Sequence, residues 1–286
     1  MNYQHVFHAG NFADVHKHVV LTLIIEHLRA KPAAFRVIDS HAGAGRYDLN
    51  GPQASRSGEW RDGIGRVLGA RETLCQGSAG AVFKTYFAVV SGLNAGGELR
   101  FYPGSPLIAA ARLRPQDRLI ACELEPGAAA SLKAALRGDR AAKVLAMDGW
   151  TAIRANVPPK ERRGLVLIDP PFEDAGDFDT LSAALAEAHR KWPTGIYMLW
   201  YPIKERDAPD ALARRLRRLA VPKVLRCEIT LGPPRADAGL LGSGLVIVNP
   251  PYALERELKT LLPVFVRVLS PNTASRLDWL SREARG

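Results

Sequence analysis

The sequence predicts an α/β fold: a seven-stranded, mostly parallel sheet with an antiparallel last strand, plus a small inserted helical subdomain. Two observations support this prediction. Short apolar runs of strand length alternate with helical patterns, as in repeated βα units. Every connection between strands carries a helical pattern except the one before the last strand, which is rich in Gly and Pro. The chain has 286 residues, and its apolar fraction of 47% is typical of a globular protein with a sizeable core.

The elements follow in order along the chain. A first helix is predicted at residues 12–30, because apolar residues recur there at helical spacing. Strand-like runs then occupy residues 35–39, 118–124, 143–147, 164–169, 195–201, 223–229 and 244–249. Helices are predicted between and after them at residues 126–137, 149–156, 177–191, 206–220 and 253–269.

Two connections depart from this alternation. The first and second strands are separated by a long segment in which 51–107 carries helical patterns at 58–68 and 79–93. We predict that 51–107 is the inserted subdomain and that 1–50 and 108–286 form the core. The connection between the sixth and seventh strands is rich in Gly and Pro and too irregular for a helix. The seventh strand should therefore run antiparallel to the others.

Several features predict the cellular compartment. No run approaches the ~18 apolar residues that a membrane span needs. The N-terminal residues show no basic region followed by an apolar stretch, so no secretion signal is predicted. Cys75, Cys122 and Cys227 are widely spaced and form no C-x-x-C pair. A reduced, cytoplasmic protein with buried thiols and no membrane partner is expected.

The charge of the chain indicates the kind of partner. Lys and Arg number 39 against 29 Asp and Glu, which gives a net charge of +10 and a pI near 9.8. This excess favours a polyanion, most commonly nucleic acid. Residues 204–226 hold eight of the basic and three of the acidic side chains. That segment is either a phosphate-facing surface or only a solvated helix face.

Two Pro-Pro motifs compete as the candidate active site. "LIDPPFED" (167–174) and "VIVNPPYAL" (246–254) each place Asp or Asn before Pro-Pro and an aromatic residue, directly after a strand. In an open parallel sheet, ligands bind beyond the carboxyl ends of the strands. Asp169 should lie at that edge, whereas Asn249 should emerge at the opposite edge from the reversed strand. The first motif is therefore predicted to be the site.

A glycine-rich turn follows the first strand in "DSHAGAG", residues 39–45. Gly43 and Gly45 allow the backbone to pass close to a ligand. A dinucleotide-binding loop would need another Gly where Asp48 stands, so a nicotinamide enzyme is disfavoured.

Acidic residues follow the next two strands. Glu123 is placed to accept hydrogen bonds from both hydroxyls of a ribose, and Asp148 from the amino group of an adenine. Each acid alone is also compatible with a helix cap or a surface turn. Together with Asp169 they predict a nucleoside site at three successive strand ends.

This order of loops resembles that of the class I, S-adenosylmethionine-dependent methyltransferases, which have a Rossmann-like fold. Their [DN]-P-P-[YF] loop is the catalytic loop of amino-group methylation. The stretches "FHAGNFADVHKH", "DSHAGAGRYDL", "RFYPGSPLIAAARLR" and "ACELEP" resemble, over essentially the whole chain, the ribosomal RNA large subunit methyltransferase J family. The resemblance implies methylation of N6 of one adenine in 23S ribosomal RNA. It also implies S-adenosylmethionine as the cofactor, S-adenosylhomocysteine as product and no metal, and a monomer is expected.

The resemblance assigns roles to particular residues. It implies cofactor contacts from His18, His41, Ser105, Glu123, Asp148, Gly149 and Asp169. It implies Asp169, Pro170 and Phe172 as the catalytic loop, with Tyr3 and Phe172 meeting the RNA, so that residues 1–30 form a segment for cofactor and substrate. Phe172 stands where the family commonly has a tyrosine. This difference puts in doubt only a role for the tyrosine hydroxyl.

Other functions stay open from the sequence. A DNA adenine methyltransferase could share the same loops, and a non-catalytic RNA-binding protein could keep the fold. A methyltransferase acting on proteins or small molecules fits the basic charge less well. The early histidines (His5, His8, His16 and His18) follow no standard zinc spacing.

Overall fold

The structure is a computed structural model that describes residues 5–77, 79–174, 176–232 and 239–282. Its strands are β1 (Arg36–Asp39), β2 (Arg46–Asp48), β3 (Phe101–Pro103), β4 (Arg118–Cys122), β5 (Ala142–Leu145), β6 (Gly164–Ile168), β7 (Ile196–Ile203), β8 (Val224–Thr230), β9 (Gly242–Val248) and β10 (Ala274–Ser281).

The helices agree closely with the predicted ones outside the insertion. They are α1 (Phe12–Arg29), α2 (Pro52–Ser57), α3 (Arg66–Gly69), α4 (Arg71–Leu74), α5 (Gly80–Gly92), α6 (Ser105–Ala110), α7 (Pro126–Ala135), α8 (Gly149–Asn156), α9 (Asp177–Lys191), α10 (Asp207–Arg218) and α11 (Leu254–Leu269).

The main sheet has the strand order β10-β8-β9-β7-β6-β1-β4-β5. Strands β5, β4, β1, β6 and β7 are mutually parallel. Strand β9 lies between β7 and β8 and is antiparallel to both. The predicted α/β class and the reversed strand are therefore confirmed.

The predicted count of seven strands is wrong, because β10 adds an eighth at the sheet edge, antiparallel to β8. Its attachment includes the fully buried Arg226 of β8, whose guanidinium donates to both carboxylate oxygens of Asp278 at 2.9 and 2.8 Å. A bidentate pair of this kind fixes register. The first three residues of β10, Ala274, Ser275 and Arg276, are exposed, so no apolar alternation marks it in the sequence.

The inserted segment 51–107 is not wholly helical, because it contains β3, which pairs with β2 in a separate two-stranded sheet. Strands of three residues are too short to show a period in the sequence. The predicted helix at 58–68 is also interrupted. A π-type turn at Arg61–Gly65 brings Ile64 N–H to the Gly10 carbonyl at 2.8 Å, and a Cβ at Gly63 would lie 2.1 Å from that same oxygen.

Helix α1 lies at the centre of the molecule, buried between the sheet, the insertion and α11. Asn11 caps it by accepting from the N–H groups of Ala13 and Asp14, both at 3.0 Å. Its polar residues Lys17 and His18 are consequently buried as well. Buried polar groups need specific partners, which explains why this helix contributes to the site described below.

Among the described residues, none of the helices combines the length and the apolar character that crossing a membrane requires.

Candidate active site

Four loops meet at one edge of the sheet, where the neighbouring parallel strands β6, β1, β4 and β5 end. Asp39 ends β1, Glu123 follows β4, Asp148 follows β5 and Asp169 follows β6. Ligands of open α/β sheets bind beyond these carboxyl ends. The structure thus brings together the loops that the sequence singled out.

The glycine turn after β1 is tied to Glu123. Gly43 has a φ of +63°, a conformation that favours glycine, and its N–H donates to Oε2 of Glu123 at 2.9 Å. The other carboxylate oxygen accepts from the N–H of Glu125 at 2.8 Å. A carboxylate offers about four lone-pair positions. Glu123 is half-buried and therefore retains acceptor capacity for a pair of hydroxyl groups.

Gly149 allows the loops after β1 and β5 to touch. A Cβ on Gly149 would lie 2.3 Å from the Ser40 carbonyl oxygen and 2.7 Å from Nε2 of His41. Nδ1 of His41 lies within hydrogen-bond distance of the Ser40 hydroxyl, at 2.8 Å. The His41 and Trp150 rings meet edge-on with their centres 5.0 Å apart. Burial lowers the pKa of His41 to about 4, so its ring is neutral at pH 7.

Asp148 caps α8 by accepting from the N–H of Thr151 at 2.7 Å. Burial alone would raise the pKa of Asp148, but the hydrogen bonds from Thr151 hold it below its ordinary value. This carboxylate is thus an ionised acceptor. The Asp148 carboxylate that caps α8 is also the one predicted to accept from the amino group of an adenine.

Ser105 lies beside Asp39 at the end of β1, and His18 follows Lys17 on α1. The Ser105 hydroxyl donates to Oδ2 of the buried Asp39 at 2.7 Å, and burial raises the pKa of Asp39 to about 7. The other oxygen of Asp39 and Nε2 of His18 are buried without a partner among the described residues. Buried polar atoms of this kind require a partner. The Asp39 oxygen and the His18 ring nitrogen are therefore available for contact with a ligand.

Lys17, which the sequence analysis did not single out, is the direct partner of Asp169. Its Nζ donates to Oδ2 of Asp169 and lies 2.9 Å from Oδ1 of Asp14. Burial alone would lower the pKa of Lys17, but the charges of Asp14 and Asp169 raise it above its ordinary value. No sequence spacing links residues 17 and 169, so only the fold reveals this pair.

The loop after Asp169 turns its aromatic ring inward. Phe172 has a φ of +52° and is 9% exposed. Its ring contacts that of Phe178 at 4.8 Å and that of Trp200 at 5.8 Å. Pro170 is buried beside it. The structure therefore places Phe172 against protein rings, and its predicted stacking on a base stays a prediction. Tyr3, the other predicted RNA contact, lies outside the described residues.

The second Pro-Pro motif is a turn at the opposite sheet edge. It follows the antiparallel strand β9, and the Asn249 side-chain amide donates to the carbonyls of Pro193 and Gly195 at 2.7 and 2.8 Å. Those carbonyls precede β7, at the amino ends of the parallel strands. Tyr252 of this motif is fully exposed. The strand direction that favoured the first motif is confirmed.

The early histidines have separate partners. His5 contacts Asp14 at 3.0 Å, His8 contacts Glu59 at 3.0 Å, and His16 lies 3.0 Å from the Ser243 hydroxyl. Within the described ranges, no three His, Cys, Asp or Glu side chains form a group that could hold a metal ion.

The buried histidines predict acid sensitivity. Burial lowers the pKa of His16 and His18 to about 3 and that of His41 to about 4. Between these pKa values and ~6.5, the histidines are protonated in the unfolded chain but not in the folded protein. The free energy of unfolding therefore decreases as the pH is lowered through this range. Asp39 opposes this trend, since its raised pKa lets the folded protein hold an extra proton down to ~3.9.

The effect of the three histidines, partly offset by that of Asp39, should reduce the free energy of unfolding by about 3 kcal/mol when the pH is lowered from 6.5 to 5. Urea denaturation at both pH values measures this change. His16→Gln should diminish the difference by roughly 1.5 kcal/mol, because one titrating group is removed. Equal stability at the two pH values would contradict the assignment of buried neutral rings.

The sheet order, the reversed strand β9 and the row of loops at the carboxyl ends of the parallel strands are those of the class I methyltransferase fold. The family model RsmJ, described as "Ribosomal RNA large subunit methyltransferase D, RlmJ", matches residues 32–281. The chain belongs to the ribosomal RNA large subunit methyltransferase J family.

Curated relatives and a solved structure agree with this membership. The ribosomal RNA large subunit methyltransferase J of Haemophilus influenzae is 38% identical over 286 residues, which cover 99% of this chain and 100% of the relative. That of Escherichia coli is 41% identical over 263 residues, 92% of each chain. A crystal structure of protein LPL1258 from Legionella pneumophila, 33% identical, aligns with a TM-score of 0.86 over 95% of this chain and 98% of that one.

Proposed function

We propose that this methyltransferase uses S-adenosylmethionine to methylate the exocyclic N6 of a specific adenine in 23S ribosomal RNA. The methyl–sulfur bond would break as the methyl–N6 bond forms, which gives N6-methyladenosine, S-adenosylhomocysteine and a proton that N6 loses to Asp169 or to water. The observation that carries the proposal is the position of Asp169-Pro-Pro-Phe at the end of β6, beside the nucleoside-type loops after β1, β4 and β5. The names of the relatives, which specify large-subunit ribosomal RNA, support the choice of substrate.

The residues present fit the proposed cofactor. Glu123 and Asp148 offer acceptors for ribose hydroxyls and for an adenine amino group. Gly149 keeps free a space that a Cβ would fill. The unpartnered atoms of Asp39 and His18 suit the ammonium and carboxylate of an amino-acid end. When bound, S-adenosylmethionine supplies a methyl group already activated by its sulfonium centre.

The catalytic loop would orient the adenine amino group. The lone pair of N6 is delocalised into the ring, which makes it a poor nucleophile. Asp169 would accept one N–H through Oδ1, since Lys17 already holds Oδ2, and the Pro170 carbonyl would accept the other. Pro170 and Pro171 restrict φ and keep these acceptors in place. Positioning of this kind supplies much of the rate enhancement of transfer enzymes.

The target base must leave its helix or be single-stranded to reach Asp169. We propose that Phe172 stacks on this base, for which its ring must turn outward from Phe178 and Trp200. Base–aromatic stacking contributes about 1–3 kcal/mol. Tyr3 would contact the RNA from the N-terminal segment. The activity would take place in the cytoplasm, with the chain acting as a monomer.

Part of the basic segment is available for RNA. Of its eight cations, Arg206, Arg215 and Arg226 are held in ion pairs with acidic side chains. Arg214, Arg217 and Arg218 are exposed, lie on one face of α10 at helical spacing, and have no ion pair within the described residues. We propose that this face and the inserted segment 51–107 bind the RNA backbone.

Replacing Arg214, Arg217 and Arg218 together by Ala should weaken RNA binding about tenfold. The slope of log K against log salt concentration should also become shallower by about 2, because each lost contact to a single-strand phosphate changes it by ~0.7. Filter binding at several salt concentrations measures both. Replacing Arg256, Lys259 and Arg267 by Ala is the control, because it removes three exposed cations from α11, against the other sheet face. Of these three, Lys259 is paired with Glu255. An equal loss in both variants would show only a general charge effect.

Methyl-labelled S-adenosylmethionine, incubated with the protein and unmethylated 23S ribosomal RNA or duplex DNA, tests the proposed substrate. Label in the RNA is expected. Label in the DNA alone would support a DNA adenine methyltransferase. Failure to bind S-adenosylmethionine at all would support a non-catalytic RNA-binding protein on this fold.

A further inference from the structure

Two tyrosines of the inserted segment reach the ring of His18. The Tyr102 hydroxyl on β3 lies 2.8 Å from Nδ1 of His18, and the Tyr86 hydroxyl on α5 lies 3.0 Å from that of Tyr102. All three side chains are buried, and the His18 and Tyr102 rings stack at 5.5 Å. A hydrogen-bonded chain therefore runs from the insertion to α1.

The direction of donation along this chain follows from the number of hydrogens. Among the described residues, Tyr102 is the one hydrogen-bond partner of the Tyr86 hydroxyl. If Tyr86 donates to Tyr102 and Tyr102 donates to Nδ1 of His18, both hydroxyl hydrogens have acceptors. If Nδ1 carried a hydrogen and donated to Tyr102, one buried hydroxyl hydrogen would have no acceptor. Within the described residues, the first arrangement leaves one buried group without a partner, the N–H at Nε2 of His18, whereas the second leaves two, a hydroxyl hydrogen and the lone pair at Nε2. Because buried polar groups are rarely left unpaired, the first arrangement is favoured.

The tautomer of His18 follows from this arrangement. Burial lowers the pKa of His18 to about 3, so the ring is neutral and carries a single hydrogen. With Nδ1 acting as the acceptor, that hydrogen resides on Nε2. Nε2 is the buried ring atom that has no partner within the described part of the chain. His18 therefore presents one unused donor.

The position of this donor indicates the group it meets. Lys17, the residue before His18, contacts Asp169, and the helix α1 packs against α6, which begins with Ser105. Ser105 in turn holds Asp39 at the end of β1. Glu123 and Asp148 follow β4 and β5, toward the far edge of the sheet. Helix α1, which carries His18, therefore approaches the site from the β6 side, opposite the predicted ribose and adenine acids.

We propose that Tyr102, supported by Tyr86, holds His18 as the Nε2–H tautomer, so that it donates to the carboxylate of the cofactor's amino-acid end. Tyr86 and Tyr102 are then positioning residues that act through His18. The identity of the acceptor rests on the proposed function, whereas the tautomer does not. The insertion thereby contributes to cofactor recognition as well as to the core.

The tautomer can be measured in the ligand-free protein. Long-range ¹H–¹⁵N correlation spectra distinguish a protonated from an unprotonated ring nitrogen. The expected result is an unprotonated Nδ1 and a protonated Nε2 for His18. Tyr86→Phe should keep this pattern, because Tyr102 can still donate to Nδ1. Tyr102→Phe removes that donor and should yield a mixture of both tautomers. A hydrogen on Nδ1 in the unaltered protein would overturn the proposal.

Ligand binding tests the acceptor. Calorimetry with S-adenosylhomocysteine and with its decarboxylated form compares ligands that differ only in the carboxylate. Tyr102→Phe should weaken binding of S-adenosylhomocysteine about tenfold and leave the decarboxylated form nearly unchanged. If Tyr102→Phe weakened the binding of both ligands equally, the tyrosines would have only a structural role, and the proposal would be overturned. If neither ligand bound the unaltered protein, the proposed function would fail while the tautomer result still stood.

Discussion

Asp169→Asn should lower methyl transfer to RNA by about 10²–10³-fold, the usual effect of removing one group that stabilises a transition state. The amide keeps the shape of the carboxylate but replaces one acceptor oxygen with a donor. It can no longer offer both an acceptor to the adenine amino group and a charge to Lys17. Initial rates with labelled S-adenosylmethionine and 23S ribosomal RNA measure the loss.

The second Pro-Pro motif provides the matched control for Asp169→Asn. Asn249→Gly removes the corresponding side chain while still permitting the φ of +50° found there. Its loss of two hydrogen bonds to carbonyls should reduce stability but not transfer by the folded fraction. Loss of activity in Asn249→Gly with full activity in Asp169→Asn would reverse the assignment of the two loops.

Lys17→Met should lower the free energy of unfolding by about 3–5 kcal/mol, because it leaves buried carboxylates without their cation. The side chains of Lys17, Asp14 and Asp169 are 5%, 3% and 11% exposed, so solvent screens them poorly. Methionine has a similar length and an apolar end, and the effect therefore reports the charge. Urea denaturation monitored by circular dichroism measures the change.

A surface lysine provides the comparison for Lys17→Met. Lys259 pairs with Glu255 one helical turn away and is 64% exposed. Lys259→Met should change stability by less than about 0.5 kcal/mol. Adding Asp14→Asn to Lys17→Met should recover part of the loss, because one of the two buried carboxylate charges that faced Lys17 disappears. Equal stability of Lys17→Met and Lys259→Met would contradict the account of a buried ion-paired cluster.

The sequence predicted the elements that carry a local signal. Helix α8 has its predicted bounds because Asp148 caps it, and α9 keeps its bounds because its apolar stripe is regular. The reversal of β9 followed from a connection too irregular for a helix. Strand β10 was missed because its attachment depends on the Arg226–Asp278 pair, whose members are distant in sequence.

The candidate site was predicted in part for the same reason. Glu123, Asp148 and Asp169 each follow a recognisable strand, so their common edge could be predicted from strand order alone. Lys17 lies on a helix that shows only apolar periodicity, and nothing in its spacing indicates Asp169 as the partner. The inward turn of Phe172 depends on Phe178 and Trp200, which come together only in the fold.

The most direct test of the proposed activity is to identify the modified nucleoside. Unmethylated 23S ribosomal RNA, treated with the protein and S-adenosylmethionine, would be digested to nucleosides and analysed by liquid chromatography with mass spectrometry. Mapping by nuclease fragments would locate the modification. The account predicts N6-methyladenosine at one position. A methyl group on a ribose, on cytosine or on another atom of adenine would contradict the role assigned to Asp169 and its loop.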